Sequence, residues 1–425
     1  MATVEGHRLL VLGSMDEFVG LVKMAKARGY RIFVADGYAD GPAKAYADES
    51  FDIDIRDTGK LEELGRKLGI DGVVSSYSDI LFESACKLTH RLGIYSYCPL
   101  DGMAALRDKR KMDRMLAEAG ARRPQSRIVH RGAVEEDCRG LRFPCVMKPV
   151  NGYGSYGIFV VEDARELAVH FQETASVSSE ADVVLAQEYD RRPEINMISW
   201  VAGGKVHPIS LADREKCQLV PGGVPDVVRI VYPSRYAPDA AAPAVDVLQK
   251  VAERTGMQDG PLSMQFFWHE DTQEPVVCEV AGRVLGYEHE LTEIGAGFSI
   301  DEALLDLAYD RDAMRRKVEA HSLDDFSGIS FVCNFHAKPG AGGCVGDTSS
   351  AERLLSHPGV IPPSMLHYGS GERVGHGKGA KPYLARLFCH VGTRKQADDL
   401  TEALFEEFTL PDEDGNELCC AQTLR

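Results

Sequence analysis

The stretch Phe143-Pro144-Cys145-Val146-Met147-Lys148-Pro149-Val150-Asn151-Gly152-Tyr153-Gly154-Ser155-Tyr156-Gly157-Ile158-Phe159-Val160-Val161 decides how this chain is read. A short apolar run delivers Lys148, a glycine-rich loop follows, and a second apolar run leaves it. Glycine permits positive φ and lets the backbone approach a ligand closely. Successive N–H groups in such a turn form a concavity that suits anions. With a lysine at its entrance, the loop fits the polyphosphate of a nucleotide. The plain alternative is a β-hairpin whose glycines only make the turn.

Two familiar phosphate-binding arrangements are excluded by the surroundings. Strand lies on both sides of the loop, whereas a G-x-x-x-x-G-K-[ST] loop leads into a helix and carries its lysine after the glycines. The H-R-D signature of kinases is absent. Strand, lysine, glycine loop and strand, followed by the helix-like Glu166–Phe171, instead resembles the ATP-grasp superfamily. Upstream, Arg107 to Gly120 reads as one amphipathic helix running toward Arg122-Arg123-Pro124, similar to that family's "DK…L…G…P" segment. Downstream, Val183 to Trp200 reads as strand, hinge, strand. The resemblance implies that Lys109 and Lys148 reach the phosphates of ATP, covered by Gly154, Ser155 and Gly157. It also implies that backbone groups around Glu188 and Tyr189 bind the adenine edge, with Gln187 orienting the adenine amino group. Glu194 would accept the ribose hydroxyls. For Lys109 taken alone, a solvated helix face is the simpler reading.

A third block, Leu262 to Trp268 and Val276 to Arg283, reads as two strands around a turn. In ATP-grasp ligases such strands present acids to magnesium, and an arginine beyond them steadies the transferring phosphoryl group. The resemblance therefore assigns Glu279 and Gln265 to the metal, and Arg283 with Lys148 to catalysis. Gln265 replaces the usual first acid, and Ala281 replaces an asparagine. Magnesium takes hard oxygen ligands, commonly one or two carboxylates with phosphates and water. At least one magnesium (or manganese) on Glu279 is expected, without a fully developed two-metal site. The segment from Glu279 to Glu290 is similar to carbamoyl-phosphate-synthase-like, biotin-carboxylase-like and L-amino-acid-ligase-like members. That implies an ATP-dependent carboxylate–amine (or thiol) ligase working through an acyl phosphate. A bicarbonate-activating enzyme and a non-catalytic ATP-binding protein are the alternatives.

Around this centre the chain alternates strand and helix. Leu9–Gly13, Arg31–Asp36 and Asp71–Ser75 are β-rich, with helical stretches at Glu17–Ala27 and Leu61–Leu68. Such alternation predicts a parallel sheet with helices on its faces. The turn after the first strand lacks G-x-G-x-x-G, so Asp36 is not read as a dinucleotide ribose ligand. The fold class expected is α/β: a Rossmann-like pre-ATP-grasp domain (1–102), a two-lobed ATP-grasp domain (103–322, with the glycine-loop lobe at about 124–186) and a small β-rich C-terminal domain (323–425). Gly369 to Gly379 is read as a solvated connection. Glu288, Glu290 and Glu293 would attract a protonated amine, or simply form a solvated helix start.

The chain has 425 residues and a formal net charge of -17, which argues against a nucleic-acid surface, where Lys and Arg dominate. No apolar stretch is long enough to span a bilayer. The 11 cysteines are scattered without C-x-x-C pairs, so neither zinc nor a disulfide framework is suggested. A cytoplasmic enzyme with reduced thiols, acting on small-molecule carboxylate and amine substrates, is expected, and a homodimer is compatible with that reading. His289 and His336 are read as structural.

Overall fold

The computed structural model describes residues 6–150, 157–178, 180–219, 223–286, 288–375 and 383–424. Four strands, β1 (Arg8–Leu12), β2 (Arg31–Asp36), β3 (Glu49–Asp52) and β4 (Gly72–Val74), form a parallel sheet in the order β3-β2-β1-β4. The inner strands β1 and β2 are almost uninterrupted runs of fully buried residues, as a parallel sheet covered on both faces requires. This core is shared with the centre of the molecule, because Leu10 and Val34 belong to one cluster with Ile198, Trp200, Ile209 and Leu304.

A second sheet contains β5 (Ser126–His130), β6 (Cys145–Lys148), β7 (Phe159–Val161) and β8 (Val183–Glu188), paired antiparallel in the order β5-β8-β6-β7. The helix Ala164–Ser176 covers it, capped by Asp163 accepting from the N–H groups of Arg165 and Glu166. Its core is its own: Val129, Met147, Val161, Phe171 and Val184 pack together.

The third sheet holds nine strands: β9 (Glu194–Ala202), β10 (Lys205–Cys217), β11 (Asp226–Tyr232), β12 (Gly260–Pro261), β13 (Ser263–His269), β14 (Glu274–Ala281), β15 (Ile329–Phe335), β16 (Val360–Leu366) and β17 (Ala385–Val391). The order is β14-β13-β9-β10-β11-β15-β17-β16, with β12 beside β9. The sheet runs through the expected boundary at 322/323, since β15 pairs with β11. Strand β16 was not foreseen, because Pro362 and Pro363 interrupt its pattern. It sits at the sheet's edge, where proline costs no ladder hydrogen bond.

The helix expected from Arg107 to Gly120 is two helices, Leu100–Arg107 and Lys109–Glu118, broken at Asp108. The Asp108 carboxylate accepts from the N–H groups of Arg110 and Lys111 and so starts the second helix. The break also falls beyond the expected boundary at 102/103, which lies inside the first of these helices. Among the described residues no helix is long and apolar enough to cross a membrane.

Candidate active site

Lys148 closes β6, and its ammonium donates to Gln187 Oε1 on the neighbouring β8 at 2.7 Å. Lys109, placed by the Asp108 cap at the first position of its helix, donates to the carbonyl of Pro149 at 3.3 Å. Burial pushes the Lys109 ammonium down to about 8, helped by the positive charge of Lys148 and opposed by Glu279. Lys109 therefore feels the charge of a second lysine and of a glutamate, each on a different element. Gly157 has φ +68, and a Cβ there would meet Val177 Cγ2 at 2.9 Å, so the end of the glycine loop packs tightly on the helix Ala164–Ser176. Gly154 and Ser155 lie outside the described residues.

The hinge between β8 and β9 is already bonded in part. The N–H of Glu188 donates to Gln125 O at 2.9 Å, and that of Tyr189 to Pro144 O at 3.0 Å. The Glu188 carboxylate is held below the usual range by Arg142, which bonds it at 2.7 Å. An adenine edge at this hinge would thus be read by carbonyls and by N–H groups other than these two.

Glu194 is 5% exposed and fully engaged. Arg214 Nε donates to it at 2.6 Å, Lys216 pairs with its other oxygen, and Gln265 Nε2 donates to it at 2.5 Å. Burial alone would raise its pKa, but Lys216 and Arg214 more than offset that and hold the carboxyl low. Sequence reasoning missed Arg214 and Lys216, whose signal was the alternation Arg214-Glu215-Lys216 within a single strand.

Glu279, Gln265 and Asn196 stand directly opposite one another on β14, β13 and β9, and directly opposed residues share a sheet face. Glu279 makes no hydrogen bond or ion pair among the described residues. Asn196 Oδ1 is buried with no hydrogen-bond partner. With Gln265 spending its amide N–H on Glu194, this row offers one carboxylate and neutral amide oxygens. That donor set suits one hard cation sharing its remaining positions with phosphate and water. No group of three or more His, Cys, Asp or Glu suited to a metal occurs among the described residues.

Arg283 is 9% exposed and turned toward the first sheet. Its Nε donates to Asp79 Oδ1 at 2.6 Å, and Nη1 donates to Tyr77 O at 3.2 Å and Val284 O at 3.1 Å. Burial works against the Asp79 carboxylate, but Arg283 more than compensates and keeps its pKa low. Of the three acids expected to attract an amine, Glu288 is taken by Tyr232 Oη at 3.3 Å and Arg386 Nη2 at 3.5 Å. Glu290 keeps a buried Oε2 without a hydrogen bond. His336 bonds the carbonyl of Val227 at 3.1 Å.

No family model matches the chain. An L-amino acid ligase from Bacillus licheniformis superimposes with a TM-score of 0.79 over 97% of this chain and 100% of that one, at 16% identity. The biotin carboxylase domain dimer of Hydrogenobacter thermophilus 2-oxoglutarate carboxylase, in complex with MgADP, ADP and bicarbonate, gives 0.73 over 95% and 91%, at 17% identity. The chain has the fold of the ATP-grasp ligases. Among curated sequences, the uncharacterized protein y4rH of Sinorhizobium fredii is 26% identical over 268 residues, covering 61% of this chain and 51% of that protein. The chain thus spans about half the length of that relative. Within the ATP-grasp fold, the lysines and the Glu279 row lie where the small lobe carrying β6 meets the sheet carrying β14.

Proposed function

We propose that this chain is an ATP-dependent carboxylate–amine ligase that works through an acyl phosphate and releases ADP and phosphate. The observation that carries this reading is the convergence of Lys109, Lys148 and Glu279 from a helix start, the small lobe and the large sheet. Two cations at that junction suit the negative charge of a triphosphate, and the resemblance to a fold seen with MgADP supports it. The residues that would hold magnesium are Glu279 and Gln265, and the ion would supply neutralisation of phosphate charge.

A carboxylate is inert toward an amine because its oxygen leaves poorly. Phosphorylation converts that oxygen to a leaving group, so the protein's work is positioning and charge neutralisation. Lys148 and Lys109 would orient the phosphates from the small lobe and the helix start. Water has to be kept from the acyl phosphate, which it would otherwise hydrolyse. Gln187 Oε1 accepts from the Lys148 ammonium and holds it in place. Arg214 and Lys216 keep Glu194 ionised beside the metal row, so that its carboxylate and Gln265 stay fixed.

Phosphate release in the presence of ATP and magnesium tests the reading, with acids and amines supplied singly and together. The expected result is ADP production only when both are present, apart from slow leakage. Stimulation by bicarbonate alone would move the assignment to a carboxylase-type enzyme. Tight ATP binding without turnover for any acid would make it a non-catalytic binder.

A further inference from the structure

The chain from Glu188 to Glu194 joins β8 of the small lobe to β9 of the large sheet and carries three acids, Glu188, Asp190 and Glu194. The resemblance hands the ribose of a nucleotide to the last of them. A ribose offers two neighbouring hydroxyl donors, and one carboxylate receives both only with two lone-pair positions open. The neighbours of each acid fix how many positions are open.

Glu188 accepts from Arg142 Nη2 at 2.7 Å and from the Arg142 N–H at 3.1 Å. Asp190 meets His269 Nε2 at 2.6 Å and accepts from the Arg192 N–H at 3.0 Å. Glu194 Oε1 accepts from Arg214 Nε at 2.6 Å and Gln265 Nε2 at 2.5 Å, which fills both of its lone pairs. Oε2 is paired with Lys216, and the Glu194 side chain is 3% exposed. At most one position remains, on a buried oxygen.

Opening Glu194 to a sugar would part it from Arg214 or Lys216. Leaving a buried charge without its partner costs more than a hydroxyl bond to a carboxylate returns. Gln265 would also lose the bond that fixes its amide beside Glu279. We propose that Glu194 is closed to the ribose and that the protein does not read the nucleotide's sugar, taking 2′-deoxy-ATP and 3′-deoxy-ATP about as well as ATP. The inference rests on the nucleotide-dependent reading above and replaces one contact that the resemblance implied.

Calorimetric titration of the full chain with ATP, 2′-deoxy-ATP and 3′-deoxy-ATP, each with magnesium and without acid or amine, is the test. Both deoxynucleotides should bind within about five-fold of ATP. A hydroxyl bonded to a charged acceptor is worth about ten- to hundred-fold in affinity, so a larger loss for either deoxynucleotide would overturn the proposal. Glu194→Gln repeats the titration without the charge, with thermal melts to show that the variant is folded. It should change the binding of all three nucleotides by one common factor. A variant that weakens ATP and spares the deoxy forms would return Glu194 to the sugar and overturn the proposal. The wild-type ratios decide by themselves if the variant does not fold. Should none of the three bind the folded wild type, the nucleotide-dependent reading has failed and this inference falls with it.

Discussion

Replacing Gln265 by glutamate turns the geometry of the metal row into a measurable quantity. Gln265 Nε2 donates to Glu194 Oε1 at 2.5 Å and sits opposite Glu279. The substitution removes a hydrogen bond to a charged acceptor, worth about 1.5–3 kcal/mol. It also sets a second negative charge against Glu194. Two unit charges about 4 Å apart repel by about 4 kcal/mol at an effective dielectric constant of about 20. Arg214 and Lys216 already pair with Glu194 and offset part of this, leaving a net loss of about 3 kcal/mol at pH 8.

With an unfolding entropy of about 2.1 cal/mol/K per residue, the 425 residues give about 0.9 kcal/mol/K, so Tm should fall by about 3 °C if the chain unfolds as one unit. The sign with pH follows from the repulsion, which raises the new carboxyl's pKa in the folded state. The penalty is absent below its unfolded value of about 4.3, grows as pH rises, and is complete above the folded value. Magnesium with ATP should stabilise the variant more than the wild type, because the cation separates the two carboxylates. Scanning fluorimetry at pH 5 and pH 8, with and without MgATP, reads all three effects. A wild-type Tm at pH 8, or the same MgATP shift in both proteins, would show that residue 265 does not face the metal row.

Other perturbations probe the rest of the site. Lys148→Ala should lower ATP-supported turnover by on the order of 10²–10³ and weaken ATP binding, and wild-type phosphate release would remove this lysine from the site. Lys109 stands at about 8 in the free protein, and phosphate contact requires its ammonium form. ATP binding should therefore take up a proton, and lose affinity, as pH rises through that value; calorimetry at pH 9 in two buffers of different ionisation heat would show no buffer dependence if this is wrong. Arg283→Ala leaves the largely buried Asp79 with only the more distant Arg107, at 3.6 Å, and should cost up to about 3 kcal/mol, whereas Arg283→Ala combined with Asp79→Asn should cost less than the two singly. Strict additivity in urea unfolding would show that the pair is not coupled.

The fold was legible in the sequence wherever a local signal coincided with a global requirement. Leu9 to Leu12 and Ile32 to Ala35 are apolar without interruption because both faces of their sheet are covered. Lys148 was legible because a lysine between an apolar strand and a glycine loop has few other uses. Glu194 was harder. Its partners Arg214 and Lys216 are some twenty residues away and meet it only through strand pairing between β9 and β10. Arg283 shows the same limit, since its partner Asp79 is 204 residues distant and no local pattern announces the contact. Asn196, the neutral oxygen beside Gln265, is indistinguishable in sequence from any other polar residue in a strand. His289 was read as structural, and the structure buries it and stacks its ring on Tyr77 at 4.6 Å.

The relative cost of separating the three parts identifies the one that can move. Pulling the first sheet from the large one would expose Ile198 and Trp200, which are 1% and 0% accessible, at about 1.5–3 kcal/mol for each large apolar side chain. It would also break the buried Arg283–Asp79 pair. The small lobe has a closed core and meets the helix Lys109–Glu118 through the exposed Arg110–Glu180 ion pair, at 2.9 Å, and the Lys109–Pro149 hydrogen bond. A surface ion pair is worth at most about 1 kcal/mol, and a single hydrogen bond about the same. On the far side of the hinge, Asp190 is held by His269 at 2.6 Å, and Pro193 O accepts the Trp268 N–H at 2.9 Å. The lobe is joined to the rest by two chain connections, near Gln125 and near Tyr189, which are tied to each other by the Glu188 N–H donating to Gln125 O at 2.9 Å, and any turning of the lobe takes place there.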